Sequence, residues 1–267
     1  MSIVTGTTPP LQGLRALVTG ASGGLGSAIV ATLVRQGAAV ALGGRDPERL
    51  SVSAQTLARL HGARTCVVPL DLQHHDRIPA SIAAAAEQLD GLDLVVNAAG
   101  AVAGGRLEAT STEDWRTSLD GKLIGTLTVI RAALPYLRAT QGTVLTVTGL
   151  YGHEPEPEQI ISGAINAALA NSHKALARDV AAAGVRILTL CIGAFRTARL
   201  ETIVASAARE QGITTGQALL QHERTLPGGR HGRPEELAEL VAFLAAPLCP
   251  YLNGTALIVD GGACHSL

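Results

Sequence analysis

One short stretch limits what this chain can fold into more than any other. Thr19-Gly20-Ala21-Ser22-Gly23-Gly24-Leu25-Gly26 follows an apolar run at 14–18 and leads into an amphipathic run at 25–36. Glycines at 20, 24 and 26 let the backbone turn tightly and come close to a bulky anion, and a helix opening at Leu25 aims the positive end of its dipole at that place. Strand, glycine turn and helix in this order make a cradle for the pyrophosphate of a dinucleotide, and the rest of the chain has to agree with it.

It does. Apolar, β-rich runs at 14–18, 39–43, 65–69, 92–97, 142–148, 186–191 and 256–259 alternate with helical patterns at 25–36, 47–61, 77–89, 115–137, 161–183 and 234–246. Parallel strands need crossover connections, so this alternation predicts an α/β, doubly wound (Rossmann) parallel sheet with helices on both faces, in a single domain over 14–267. Residues 1–13 read as a flexible N-terminal arm. The least regular stretch, 193–232, follows a strand's carboxyl end and is expected to be a mobile substrate loop, with a helix over 199–211.

Composition narrows the partners. The 267 residues are 47% hydrophobic and carry a formal net charge of -1 with no basic block, which gives no electrostatic reason to expect nucleic acid or an anionic membrane. Mean hydropathy is positive, yet Arg, Gln or Gly interrupts each apolar run before it could span a bilayer. A soluble protein with a small-molecule partner is the expectation. Cys66, Cys191, Cys249 and Cys264 form no C-x-x-C pair and no secretory leader precedes them, so free thiols in a reducing cytoplasm are expected. No metal site is expected either, since His74 and His75 are adjacent without a carboxylate or Cys at helical spacing. Aromatics make up only 2% of the chain, so Ala, Val, Leu and Ile must fill the core. Ala-rich helix faces then suggest a homo-oligomer, a dimer or tetramer.

These motifs resemble the short-chain dehydrogenase/reductase superfamily, of the compact single-domain type, over nearly the whole chain. Its T-G-x-x-x-G-x-G is similar to Thr19 to Gly26, its N-x-A-G to Asn97-Ala98-Ala99-Gly100, and its closing signature to Gly232-Arg233-Pro234-Glu235-Glu236 through Val259-Asp260-Gly261-Gly262. The resemblance implies a nicotinamide cofactor held by Thr19, Gly20, Ser22, Gly24, Leu25 and Gly26. Asp71 and Leu72 would meet the adenine, Asn97, Gly100 and Asn166 the ribose, and Gly193 and Thr197 the carboxamide. Ile192-Gly193 stands where the family has Pro-Gly, which frees one backbone angle. Where the family's NAD enzymes end the second strand in an acid, this chain has Gly44-Arg45. A planar guanidinium suits a 2′-phosphate, so NADP(H) is expected over NAD(H), with Ser22 assisting; the alternative is a solvated Arg45 at a strand end.

The family's proton-transfer residues do not carry over. By the same alignment Gly149 stands for its Ser, Ser162 for its Tyr, Asn166 for its Lys and Lys122, within Lys122-Leu123-Ile124-Gly125-Thr126, for its Asn. An aliphatic hydroxyl is a far weaker acid than a phenol beside a cation, and Asn166 brings no charge. Asn and Lys have exchanged places, which leaves two readings of Lys122. Its ammonium reaches the cavity from the other side, or it points to solvent or pairs with a Glu or Asp. Tyr151 and His153, just past Gly149, are either alternative proton donors or exposed loop residues, while His173 and Lys174 are expected at the surface. An NADP(H)-dependent oxidoreductase acting on a small carbonyl, enone or imine through an altered proton donor is the leading expectation. A non-redox dinucleotide-binding protein, whether sensor, structural subunit or scaffold, is the alternative.

Overall fold

The computed structural model describes residues 10–100 and 102–266. Seven parallel strands form one sheet in the order β3-β2-β1-β4-β5-β6-β7: β1 (Arg15–Thr19), β2 (Ala39–Gly44), β3 (Thr65–Pro69), β4 (Leu94–Asn97), β5 (Thr143–Gly149), β6 (Arg186–Ile192) and β7 (Ala256–Val259). Side chains alternate between the faces, so each strand feeds two cores. Ala16, Val18, Leu94 and Val96 pack beneath Ile29 and Leu33 of α1 (Gly24–Arg35) and Leu237 and Val241 of α9 (Pro234–Ala245). Leu17, Val95, Val144 and Ile187 face the other way, against α3 (Ile78–Leu89), α5 (Gly125–Thr140) and α6 (Ile160–Val180). The doubly wound α/β class expected from the sequence is the one observed.

Strand order reverses between β1 and β4, the neighbours at the sheet's centre. A crevice opens outside their carboxyl ends because the chain leaves them toward opposite faces. Thr19 pairs with Asn97 across that junction, so the glycine turn and Asn97-Ala98-Ala99-Gly100 stand side by side.

Local departures from the expected pattern have physical causes. The helix expected over 115–137 is three pieces: α4 (Thr112–Ser118), a π-helical turn (Leu119–Ile124) and α5. Gly125 abuts the Leu72 carbonyl, with a Cβ there standing 2.5 Å from that oxygen. Helix and β3 loop meet so closely there that only glycine fits. The expected lid region holds two helices, α7 (Ala198–Gln211) and α8 (Thr215–Thr225), which share a small apolar cluster of Leu200, Val204, Ala208 and Ala218. Helix α8 escaped the sequence reading although Thr214 and Gln217 form a capping box. Helix α2 (Pro47–His61) has the expected bounds. Most of the expected N-terminal arm lies outside the described residues; Leu11, within them, is buried in the core and its N–H donates to the Gln36 carbonyl.

Candidate functional site

The glycine turn is closed by contacts that side chains would prevent. Gly20 has a φ of +66°, and a Cβ on it would stand 2.8 Å from Ala99 Cα; one on Gly26 would stand 2.1 Å from the Gly20 carbonyl oxygen. Thr19 is fully buried, and its Oγ1 accepts the Ala99 N–H at 3.3 Å. Ser22 and Leu25 lie half-buried along the turn. From the far side Thr197, which caps α7 by accepting the Leu200 N–H, leans over Gly24 so closely that a Cβ there would stand 2.9 Å from Thr197 Cγ2. Gly193 packs on Asp260, with room for no side chain between them.

At one end of the crevice, β2 and β3 deliver Gly44, Arg45, Leu70 and Asp71 to a cleft of about 130 Å³. Arg45 is exposed there, Asp71 Oδ1 accepts the Gln73 N–H, and buried Leu72 turns away against Gly125. His74 and Arg77 line the same cleft, although no sequence motif pointed to them. A larger open cleft of about 690 Å³ lies at the opposite end of the sheet, around Arg15, Asp93 and Arg186. None of the residues singled out from the sequence lines it.

At the other end stands Lys122, in the π-helical turn, where its side chain enters the protein. It is 6% exposed, and Nζ donates to the Ala99 carbonyl at 3.0 Å and the Val147 carbonyl at 2.8 Å. Its stem lies on Gly100, whose φ of +107° and bare Cα leave the space; a Cβ would stand 2.4 Å from Lys122 Cδ. Burial, and secondarily the Arg199 guanidinium, lower the Lys122 pKa to about 8. Among the described residues no carboxylate pairs with it. Lys122 therefore points into the protein and not to solvent.

Gly149, Ser162 and Asn166 converge as the alignment placed them. Asn166 Nδ2 donates to Ser162 Oγ at 3.2 Å, and a Cβ on Gly149 would stand 2.9 Å from that nitrogen. Tyr151 belongs to a 3-10 turn (Leu150–Gly152) and His153 follows it. Both are exposed, and partial burial followed by the Glu156 charge raises the Tyr151 phenol pKa.

A polar row runs behind these residues. Thr19, Asn97, Thr146 and Thr189 are register partners across β1, β4, β5 and β6. Asn97 Nδ2 donates to Thr146 Oγ1, and Thr189 Oγ1 hydrogen-bonds His173 Nδ1 at 2.9 Å. The expectation of a surface His173 is therefore corrected, since it is 2% exposed. It follows Asn166 by seven residues, two helical turns, and so lies on the same inward face of α6; Lys174 does face solvent. Among the described residues the buried side-chain atoms without a partner are Asn97 Oδ1, Thr126 Oγ1, Asn166 Oδ1 and His173 Nε2, all between the sheet and helices α5 and α6.

Burial, aided by Lys122, lowers the His173 pKa to about 4. The unfolded chain therefore takes up a proton between about pH 6.5 and 4 that the folded chain refuses, and stability falls as pH drops through that window. Comparing urea unfolding of the protein and His173→Gln at pH 7 and pH 4.5 should show wild type losing about 2 kcal/mol more than the variant. Equal losses would mean that His173 titrates normally.

A family model described as enoyl-(acyl carrier protein) reductase matches residues 20–264. The chain belongs to the short-chain dehydrogenase/reductase superfamily. Within that superfamily it is 31% identical to gluconate 5-dehydrogenase of Gluconobacter oxydans over 96% of this chain and 97% of that one. An NADPH-bound short-chain oxidoreductase of Pseudomonas aeruginosa PAO1, described as containing an atypical catalytic center, superposes with a TM-score of 0.87 at 30% identity, covering 96% of this chain and 99% of its own. L-sorbose reductase of Gluconobacter frateurii, solved with NADPH and L-sorbose, superposes at 0.92 with 25% identity, covering 98% and 100%. Among the described residues no helix is long and apolar enough to cross a membrane, and no group of three or more His, Cys, Asp or Glu could hold a metal ion.

Proposed function

We propose that this short-chain dehydrogenase/reductase is an NADP(H)-dependent oxidoreductase for a small carbonyl, enone or imine, in which Lys122 is the proton donor. One observation carries the reading: a lysine ammonium is buried beside Gly100, held by two carbonyls and, among the described residues, uncompensated by a carboxylate. The residues fit the cofactor. Glycines 20, 24 and 26 leave bare backbone for a pyrophosphate, and the unpartnered Oδ1 atoms of Asn97 and Asn166 suit the hydroxyl donors of a ribose. Asp71 and Leu72 would border the adenine, and Gly193 and Thr197 the carboxamide.

When bound, the nicotinamide supplies or accepts a hydride. The chain has to orient the substrate and manage the proton. Two of the three Lys122 N–H groups are spent on carbonyls, which fixes the ammonium and leaves one proton to give. A pKa of about 8 makes it a stronger acid than an unperturbed phenol near 10. Ser162 and Asn166, hydrogen-bonded to each other, can hold a polar substrate atom but supply no acidic proton. Tyr151 and His153 are secondary candidates from the loop beyond Gly149.

Arg45, with Ser22 nearby, is assigned the 2′-phosphate. The NADPH-bound relatives support that cofactor. Calorimetry should show NADPH binding at least about tenfold tighter than NADH, and Arg45→Asp should reverse the order; tighter NADH binding by wild type would overturn the assignment. The chain is read as a cytoplasmic homo-oligomer, a dimer or tetramer, and exposed Phe243, Leu248, Tyr251 and Ile258 supply an apolar surface for association. A stretch about 193–232 that moves to admit substrate belongs to the same reading. The exposure of Tyr151 favours the second reading, a dinucleotide-binding protein without redox activity, which tight NADPH binding with no turnover across a carbonyl, enone and imine panel would establish.

A further inference from the structure

We infer that the substrate carries a carboxylate, gripped by Arg199. The inference deepens the reading above, because it rests on the space beside Lys122 being the substrate cavity.

Arg199 stands in the first turn of α7, just past Thr197. Its guanidinium reaches away from its own helix, and Nη2 donates to the Val102 carbonyl at 3.0 Å, across 97 residues of sequence. Lys122 Nζ donates to the Ala99 carbonyl of the same segment. Two cations thus hold one short loop three residues apart, and the loop itself, residues 97–105, has no charged side chain. They are near enough that Arg199 contributes to the lowered Lys122 pKa. The amino end of α7 adds further positive potential on the same side.

Two carboxylates of the 154–158 segment, which meets the loop at Gly105, have partners of their own. Glu158 pairs with Arg106, and Glu154 with His265. Glu156 acts on Tyr151 and His265. Glu201, two residues after Arg199, points to the other side of α7 by helical geometry. Among the described residues Arg199 has no ion-pair partner. Arg199 is exposed, so water screens its charge and its lack of a carboxylate partner costs little; the guanidinium is anchored by Val102 and open to an anion arriving from solvent. Nη2 bonds Val102, yet the guanidinium has five N–H groups, so its other edge remains able to take a carboxylate with two parallel hydrogen bonds. The pyrophosphate is the rival anion. Its cradle, however, lies at Gly20 to Gly26 under Thr197, whereas Arg199 extends to Val102, beyond Gly100. A small oxo acid, or the corresponding hydroxy acid, places its carboxylate at Arg199 and its reacting oxygen toward Lys122.

The test reads binding, without turnover. Calorimetry on the NADP⁺-loaded protein would compare 3-oxobutanoate with 3-oxobutanamide and 2-oxopentanoate with 2-oxopentanamide. For at least one pair the acid should bind tenfold or more tightly than the amide, Arg199→Met should erase the difference, and Arg199→Lys should restore part of it. NADPH affinity should be unchanged in Arg199→Met. Equal affinity of acid and amide in both pairs, binding of no probe, or a loss of NADPH affinity in Arg199→Met would overturn the inference. Acids that bind selectively but are never reduced would overturn the redox reading and leave this one standing.

Discussion

Lys122→Met is expected to slow substrate reduction by about 10²- to 10⁴-fold, the range that a positioned general acid contributes. Its pH signature follows from the lowered pKa. Below about pH 8 the ammonium carries the proton, so reduction by wild type should be level there and fall about tenfold per pH unit above. Oxidation of the product, which needs the free amine, should rise through the same point. A separate readout needs no substrate. Between about pH 8 and 10.5 the unfolded chain holds a proton on this lysine that the folded chain has lost, so stability rises with pH across that window, by about 3 kcal/mol relative to Lys122→Met. Urea unfolding of both proteins at pH 7.5 and 10.5 measures that rise. Undiminished turnover in Lys122→Met would remove the lysine from proton transfer and pass the role to Tyr151 or His153, which Tyr151→Phe and His153→Ala would then separate.

The parts of this protein that were legible in its sequence are those in which one local pattern implies one local geometry. The glycine turn, the seven strands and the alternation of helices are of this kind, as is the meeting of Gly149, Ser162 and Asn166, which one strand and one helix bring together. What escaped depends on contacts between distant segments. The π-helical turn at Leu119–Ile124 and the Leu72 carbonyl beneath Gly125 just past it are not announced by anything within 115–137. His74 and Arg77 join Arg45 only because β3 pairs with β2. Two misses did leave signals. His173 shares its face of α6 with Ile161, Ile165, Asn166 and Leu169, all buried, so its burial could have been read from helical spacing. Helix α8 left another, the capping box of Thr214 and Gln217.

The glycine turn supports a graded prediction, because its glycines differ in what an added methyl would meet. Helix propensity alone favours Ala over Gly by about 1 kcal/mol in a helix interior, so any loss at Gly26 within α1 must be steric. A Cβ there would stand 2.1 Å from the Gly20 carbonyl oxygen and 2.8 Å from its carbon. Gly20 cannot yield, because it already lies against Ala99 with φ at +66°. The turn must then open and carry its N–H groups away from the pyrophosphate, so Gly26→Ala should weaken NADPH binding by at least about 30-fold, near 2 kcal/mol. Gly24→Ala would meet Thr197 Cγ2 at 2.9 Å and Thr197 Cβ at 3.0 Å; side-chain rotation relieves the first contact but not the second, so the segment bearing Thr197 must also shift, and the loss should be intermediate. At Gly23 the nearest atom is 3.3 Å away, and Gly23→Ala should change affinity less than about threefold. Circular dichroism of each variant separates a distorted turn from an unfolded chain. If the folded Gly26→Ala protein binds NADPH as tightly as Gly23→Ala does, the turn is not where the pyrophosphate sits.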